Sequence, residues 1–460
     1  MEKGKNRLNN VGWLMLLVIA ALLLLHFLPK IQIGERSLRQ VDILADVMKK
    51  PVATEVDSIS IDSLLPPPPK PVFVDTCKTG ITCIEDYGDS TLRGMTPFYR
   101  AIDESALRPR PIRIAYFGDS FIEGDIMTVD LRQLLQETYG GHGVGYVSIS
   151  SAISGYRNSV RHRASGWSNH ALTDSVYFNR RFQDISNHYF FAREEATVDL
   201  TGTQLYARLD TCQQSSLFFV SKDTVTISAS INGRWVKTQT YDSIGRLSAM
   251  HVEGRIGRVR WNVQQADSSL FYGVTMDDTV GIALDNFSLR GSAGLNIRSV
   301  PMAILRQYAQ LRPYDLIVLQ YGVNVATKRG VDYSSYVQGM KTVIQHLKDA
   351  FPDAGILIIG VADRDYVNDE GEILTMPGIR NLVRFQQQLA IDEGVAFWNM
   401  FEAMGGNESM KALVEQRPAL AALDYTHLNF RGGKYLATLL FDAIQYGKER
   451  YDRRRAYEEE

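Results

Sequence analysis

Cysteine is scarce, with three in 460 residues, and this excludes a disulfide-built scaffold or a cysteine-rich metal module. Charge of one sign is not in excess either. The net charge is −2, so there is no electrostatic case for a nucleic-acid partner. Histidines number eight, and His142, His162, His170 and His188 show no ligand spacing, so no metal site is read. No tandem repeat occurs in residues 165–274, and no G-x-S-x-G elbow surrounds Ser120. Prolines are few, but Pro66 to Pro69 stand in a row.

What is there begins with one long apolar run, Val11 to Leu28, in which only His26 is ionisable. As a helix these eighteen residues would reach about 27 Å, close to a bilayer's hydrocarbon thickness. Lys3, Lys5 and Arg7 precede it and no small-x-small site follows, which predicts a retained signal-anchor over residues 1–30 rather than a cleaved signal peptide. The remainder is then expected outside the cytoplasm. Cys77 and Cys83 in "CKTGITC" are expected to pair there, and Cys212 to be a buried thiol. Residues 31–95 read as a tether, with an amphipathic helix in "ERSLRQVDILADVMKK" and a stiff proline-rich spacer.

From residue 96 buried strands alternate with helices. "IRIAYF" (112–117), "YDLIVLQYG" (314–322), "GILIIGVAD" (355–363) and "VAFWNM" predict strands covered on both faces. "TVDLRQLLQETY" (128–139) and the segments after each later strand predict helices. The pattern predicts an α/β domain with a parallel sheet, split into 96–164 and 275–450. Between these halves, 165–274 reads as an inserted β-rich module with strands such as "TQLYARL", "SLFFVS" and "TVTISASI", and an Asn232-Gly233 hairpin. Residues 451–460 are a short mixed-charge tail.

Gly-Asp-Ser occurs twice. Ser120 follows a buried strand and precedes a helix, which puts it at the carboxyl end of a sheet, its N–H at a helix start. Ser90 follows no convincing strand and reads as a surface turn. A serine hydroxyl needs a base held by a carboxylate. "LDYTHLNFRGG" offers Asp424 and His427, three residues apart and on one side of a turn. Donors for a developing oxyanion are Asn324 in Gly322-x-Asn324 and the backbone of Gly291, with Gly155 as a competing position. Asp119 reads as a turn-holding residue. Asp125 reads as an exposed acid at a helix start, with substrate binding as the other reading. Trp167, Trp235 and Trp261 are candidates for stacking on sugar if exposed and for core packing if not.

These blocks in order, Gly118-Asp119-Ser120, Gly291, Gly322-x-Asn324 and Asp424-x-x-His427, resemble the SGNH (GDSL-type) hydrolases. The resemblance implies a flavodoxin-like three-layer α/β/α fold and a Ser120–His427–Asp424 mechanism with no metal or other cofactor. It also implies an oxyanion hole of Ser120, Gly291 and Asn324. "IAYFGDSFIEGD", "GGHGVGYV", "AFWNMFEAMGG" and "DYTHLNFRGGKYLA" are similar to the branch containing peptidoglycan O-acetylesterases, which carry a carbohydrate-binding-like β insert after the first block. An acetylated glycan is the expected substrate, and a membrane-tethered, extracytoplasmic (periplasmic) esterase the expected function. An O-acetyltransferase using the same triad with a membrane acyltransferase partner is the alternative. A non-catalytic wall-binding protein is the third.

Overall fold

The computed structural model describes residues 5–26, 32–33, 36–37, 76–88, 93–173, 177–264 and 268–459. They fall into two compact units, Met1–Val72 and Phe73–Glu460. The first contains helix α1 (Lys5–His26) and a two-stranded ladder of β1 (Gln32–Ile33) and β2 (Arg36–Ser37). Among the described residues, no helix is long and apolar enough to cross a membrane. From Val11 to its end α1 has sixteen residues, about 24 Å, short of the roughly 30 Å of a bilayer core. The expected transmembrane segment is thus not met by this helix, and Phe27 and Leu28 lie outside the described residues. Arg36 and Ser37, expected in a helix, pair as a strand instead, and the proline-rich spacer also lies outside the described residues.

The second unit begins inside the expected tether. Cys77 and Cys83 are joined by a disulfide across 5.9 Å of Cα separation. Ile84 and Met95 are buried, and β3 (Glu85–Asp86) pairs antiparallel with the far edge of the main sheet. Residues 76–88, expected as part of the tether, therefore pack into this unit, because the segment has a sheet edge to satisfy its backbone. Helix α2 (Thr96–Asp103) leads to β4 (Ile112–Gly118), buried throughout, and α3 (Thr128–Tyr139) ends at Gly140.

Strand β5 (Gly145–Ser148) opens a nine-stranded antiparallel sheet. It continues with β6 (Val160–Ala171), β7 (His188–Gly202), β8 (Cys212–Val220), β9 (Val225–Ile231), β10 (Arg234–Tyr241), β11 (Ser248–Ile256), β12 (Arg258–Gln264) and β13 (Leu270–Asp277). Their order is β10-β9-β12-β7-β13-β8-β11, with β5 on β13 and β6 on β7. Asn232 (φ 50°) and Gly233 (φ 84°) make the two-residue turn between β9 and β10. "TQLYARL" is no strand: Thr203 N–H returns to Leu209 C=O at 2.9 Å, and Arg208 sits at φ 64°. The charged fifteen-residue β7, in contrast, was not anticipated.

Then come β14 (Ile282–Ser288), α4 (Met302–Leu311), β15 (Leu316–Gln320), α5 (Ser334–Ala350) and β16 (Gly355–Ile359). A small hairpin of β17 (Asp365–Val367) and β18 (Ile373–Thr375) precedes α6 (Gly378–Glu393) and β19 (Ala396–Trp398). Short helices α7 (Met400–Ala403) and α8 (Ser409–Glu415) follow, and α9 (Phe430–Glu459) runs through the charged tail. The six-stranded sheet has the order β14-β4-β15-β16-β19-β3 and is parallel except for β3. Strands β4, β15 and β16 are buried on both faces, which requires cover on both sides. Helices α2, α3 and α9 form one contacting group and α4, α5 and α6 another.

The two sheets meet through β8 and β13. Phe218, Leu270 and Tyr272 join the core of the parallel sheet, while Leu217, Phe219, Phe271, Val274 and Met276 fill a second core within the antiparallel one. The period-two alternation sends successive side chains to different cores, and a register shift between Phe271 and Gly273 adjusts it. Arg312 clamps the junction. It reaches Asp277 at the end of β13 at 2.6 Å, and Asp285 in β14 at 2.6 Å.

Candidate active site

Strand β4 ends at Gly118, and Ser120 lies in the turn beyond it, 5% exposed. The next helix does not begin at once. A 3-10 turn, Glu123–Asp125, intervenes before α3 starts at Thr128, so Ser120 N–H is not at a helix N-terminus as expected. The turn has its own scaffold. Asp119 accepts the Phe121 N–H at 3.1 Å and the Asn324 amide at 3.0 Å. Burial pushes the Asp119 carboxyl up to about 6, against the pull of these donors and of nearby His427.

Asp125 departs from both sequence readings. It is 1% exposed and forms the hub under the turn, at 3.3 Å from Arg132 and 2.8 Å from Arg157. Thr128 donates to it at 2.8 Å and Asn286 at 2.7 Å, and Ser159 donates as well. Burial alone would raise its pKa, but Arg132 and Arg157 outweigh that and hold the carboxyl well below the usual carboxylate range. Arg157 and Ser159 stand just before β6 and Asn286 is in β14, so this one carboxylate ties the Ser120 turn to both sheets.

His427 Nε2 lies 3.2 Å from Ser120 Oγ, and its Nδ1 lies 2.7 Å from Asp424 Oδ2. The carboxylate requires a proton on Nδ1, which leaves Nε2 to accept from the serine hydroxyl. Asp424 Oδ1 also accepts the backbone N–H of Thr426 and His427, each at 3.0 Å. Partial burial would raise its pKa, but these bonds with His427 and Thr426 bring it below the ordinary value. The loop is not the helical turn that the i, i+3 spacing suggested. Tyr425 takes φ 52°, and its carbonyl is held by Asp365 N–H at 3.0 Å. Asn429 then receives the N–H of Arg431 and Gly432 and opens α9. A Cβ on Gly433 would stand 1.9 Å from the Ile126 carbonyl. Only glycine lets α9 close onto Ile126 beyond the Ser120 turn and bring its preceding loop to Ser120.

Asn324 follows β15, and Gly322 before it adopts φ +139° with Val361 where a Cβ would be. The Asn324 amide donates to Asp119 and to the Ser292 carbonyl, at 3.0 and 3.1 Å. Gly291 lies in the loop after β14, exposed and at φ +74°. Leu289 N–H donates to Gly118 C=O at 2.9 Å, which draws this loop to the end of β4. Gly155 sits exposed in a separate 3-10 turn, Ser154–Tyr156. Asp89 to Leu92, including the second serine of a Gly-Asp-Ser triplet, Ser90, lie outside the described residues.

Trp261 is fully buried and donates to Ser215 Oγ at 3.2 Å. Trp167 is half-buried against Phe271, and Trp235 is 63% exposed on β10. Cys212 is a buried free thiol. Among the described residues no cluster of three or more histidine, cysteine or acidic side chains is placed to hold a metal ion.

The parallel sheet carries a Gly-Asp-Ser turn at the end of its first long strand and a histidine loop before its last helix, as the resemblance to SGNH hydrolases implies. Among solved structures, the chain is similar to a peptidoglycan O-acetylesterase, at 22% identity over 80% of this chain and 99% of that one, with a TM-score of 0.62. It also matches a family two carbohydrate esterase from Clostridium thermocellum (11% identity, 62% of this chain and 100% of that one, TM-score 0.28). A further match is a salicylyl-acyltransferase from a tetracycline biosynthetic pathway (13% identity, 65% and 96%, TM-score 0.30). The likeness to the first shows a shared fold, and the other two superpose too loosely to add to it. No family model and no curated protein matches the chain.

Proposed function

We propose that this chain is a serine esterase of SGNH type that removes O-acetyl groups from a carbohydrate through an acyl-serine. The observation that carries the reading is the hydrogen-bonded array Ser120–His427–Asp424. Ser120 Oγ attacks the acetyl carbonyl as His427 Nε2 takes its proton. The same proton then passes to the departing sugar oxygen, and water releases acetate in a second, mirrored step. Asp424 fixes the imidazole tautomer. Ser120 N–H, Gly291 N–H and the Asn324 amide receive the oxyanion, with Asn324 exchanging one of its two present acceptors for it. Release of acetate from an O-acetylated glycan by the full chain, and covalent labelling of Ser120 by a serine-directed phosphonate, test the reading. A folded protein that shows neither sinks it.

Peptidoglycan is the favoured glycan within this proposal, on the fold shared with a peptidoglycan O-acetylesterase. In the same proposal the catalytic body is built on the parallel sheet, and the antiparallel sheet, from β5 at Gly145 to β13 at Asp277, is the insert, so the expected bounds of 165–274 widen at both ends. Placement outside the cytoplasm, held at the membrane by the N-terminal apolar run, is supported by the basic residues before that run and by the Cys77–Cys83 disulfide. Fractionation with an alkaline carbonate wash tests it. An acyl-serine resolved by a glycan hydroxyl would make the same site an acyltransferase working with a membrane acyltransferase, and the ratio of acetylated product to free acetate distinguishes the two.

A further inference from the structure

The segment Asp363-Arg364-Asp365, between β16 and the β17–β18 hairpin, touches three separate parts of the parallel-sheet domain. Asp365 N–H holds the Tyr425 carbonyl at 3.0 Å, inside the Asp424–His427 loop, where Tyr425 takes φ 52°. Arg364 donates from its guanidinium to the Val323 carbonyl at 3.0 Å, one residue before Asn324. The two carboxyl groups grip the start of α8. Asp363 Oδ2 accepts the Ser409 hydroxyl at 3.2 Å and the Met410 N–H at 3.0 Å, and Asp365 Oδ2 accepts the Lys411 N–H at 2.7 Å. Glu408, which precedes α8, supplies no side-chain cap, so these two side chains take that duty.

Bonding to consecutive amides brings the two carboxyl groups side by side, within hydrogen-bonding reach of each other. Both are buried, at 0% and 3% exposure, and each has an Oδ1 with no hydrogen-bond partner among the described residues. Two full negative charges in such a place are costly, and two bare acceptors add to that cost. One proton removes both, because a carboxyl donates where a carboxylate accepts. Burial, and then Asp363, push the Asp365 carboxyl up to about 7, against the pull of the Lys411 N–H and the Thr375 hydroxyl. The other charged or titratable groups on the surrounding elements are Arg364, Glu408 and Lys411 at α8, Tyr366 on β17 with Lys328 over its ring, and Asp424, Tyr425 and His427 in the loop. None of them hydrogen-bonds to either Oδ1.

We infer that Asp363 and Asp365 share one proton and, in that state, are positioning residues that hold the His427 loop and the Asn324 segment in register. What is positioned rests on the esterase reading; the shared proton does not. When the proton leaves, two like charges repel across a three-residue segment whose main chain holds Tyr425 and whose middle side chain holds Val323. The approach of His427 Nε2 to Ser120 Oγ, 3.2 Å with the segment in place, then loses its support. Turnover is therefore sustained while the pair keeps its proton and declines as pH rises through about 7. Asp119, with its carboxyl pushed up to about 6, titrates on the acid side of that decline.

The full chain is assayed for kcat and KM on 4-nitrophenyl acetate, corrected for spontaneous hydrolysis, from about pH 5.5 to pH 9, as wild type, Asp363→Asn, Asp365→Asn and Asp365→Ala. Circular dichroism checks that each is folded across the range. Wild-type kcat should fall at least about threefold from its maximum by pH 9. In either asparagine variant an amide N–H stands permanently where the shared proton was, so turnover is retained and the alkaline fall disappears. Asp365→Ala should lose at least about tenfold in kcat at every pH, with KM within about twofold of wild type. An alkaline limb that is the same in wild type and both asparagine variants overturns the inference. Infrared difference spectra of wild type against Asp365→Asn read the proton without turnover, as a protonated-carboxyl stretch present at the acid end and gone at pH 9. Its absence overturns the inference even where acetate is released, and leaves the esterase reading standing. If the stretch titrates but no acetate is released, the esterase reading falls and the positioning role with it, while the shared proton stands.

Discussion

Strands β13 and β10 belong to one sheet and both run for eight residues, yet every residue of β13 is buried, while all of β10 except the half-buried Tyr241 is exposed. The cause is position. Strand β13 lies between β7 and β8 and faces two cores, whereas β10 is the outer edge with one neighbour. Their compositions follow, "LFYGVTMD" against "RWVKTQTY". The sheet therefore has a docked side, which packs onto the parallel sheet, and a free side with basic and threonine-rich chemistry that resists edge pairing. Substitutions on the two sides, and at the site itself, should separate rate from stability.

The largest effect is expected at the site. Ser120→Ala should lower kcat for acetate release by at least about a thousandfold, with the melting temperature nearly unchanged, as read by paired kinetics and calorimetry. A comparable loss of stability would mean that Ser120 is structural. In the second core, Trp261→Ala should destabilise by about 3–5 kcal/mol, since it empties a fully buried site and strips Ser215 of its partner. Chemical denaturation measures this, and a change under 1 kcal/mol would show that the second core is not packed as described. Asp125→Ala blurs the comparison by design. It leaves Arg132 and Arg157 buried without their carboxylate, worth about 3–5 kcal/mol, and should reduce turnover too because it loosens the nucleophile turn. Turnover unaffected in a destabilised variant would detach the hub from the chemistry.

A smaller, pH-dependent effect belongs to Asp365. Burial, and then the neighbouring Asp363 carboxylate, push its carboxyl up to about 7. The folded state then binds the extra proton between the ordinary aspartate value and about 7, so this group's contribution to stability falls as pH rises through that window. Asp365→Asn removes the charge and keeps an acceptor for the Lys411 N–H. Its melting temperature relative to wild type should climb from pH 4 to pH 8, and a flat difference would contradict the assignment. The smallest effect is Trp235→Ala, within about 0.5 kcal/mol by denaturation, because its side chain is in solvent on the free edge.

The parallel sheet was legible because both-face burial writes itself as unbroken apolar runs, and α3 was read to its last residue because Gly140 ends it. The serine, histidine and aspartate were legible because each lies in a short block next to a strand or helix end. The Asp125 hub was not, since Arg157, Ser159 and Asn286 come from distant segments and no local spacing announces a buried ion pair. Strand β7 escaped notice because the charged residues 193–195 interrupt its apolar alternation. Conversely, the alternation of "TQLYARL" suggested a strand, but its backbone bonds close within the segment itself.

Ser120 and His427 are 307 residues apart, and the whole antiparallel sheet is threaded between them. A polypeptide made from its N-terminus forward carries Ser120 through 307 of its 460 residues of synthesis before His427 is added. In the proposed mechanism, reactivity is thus withheld until the last loop arrives.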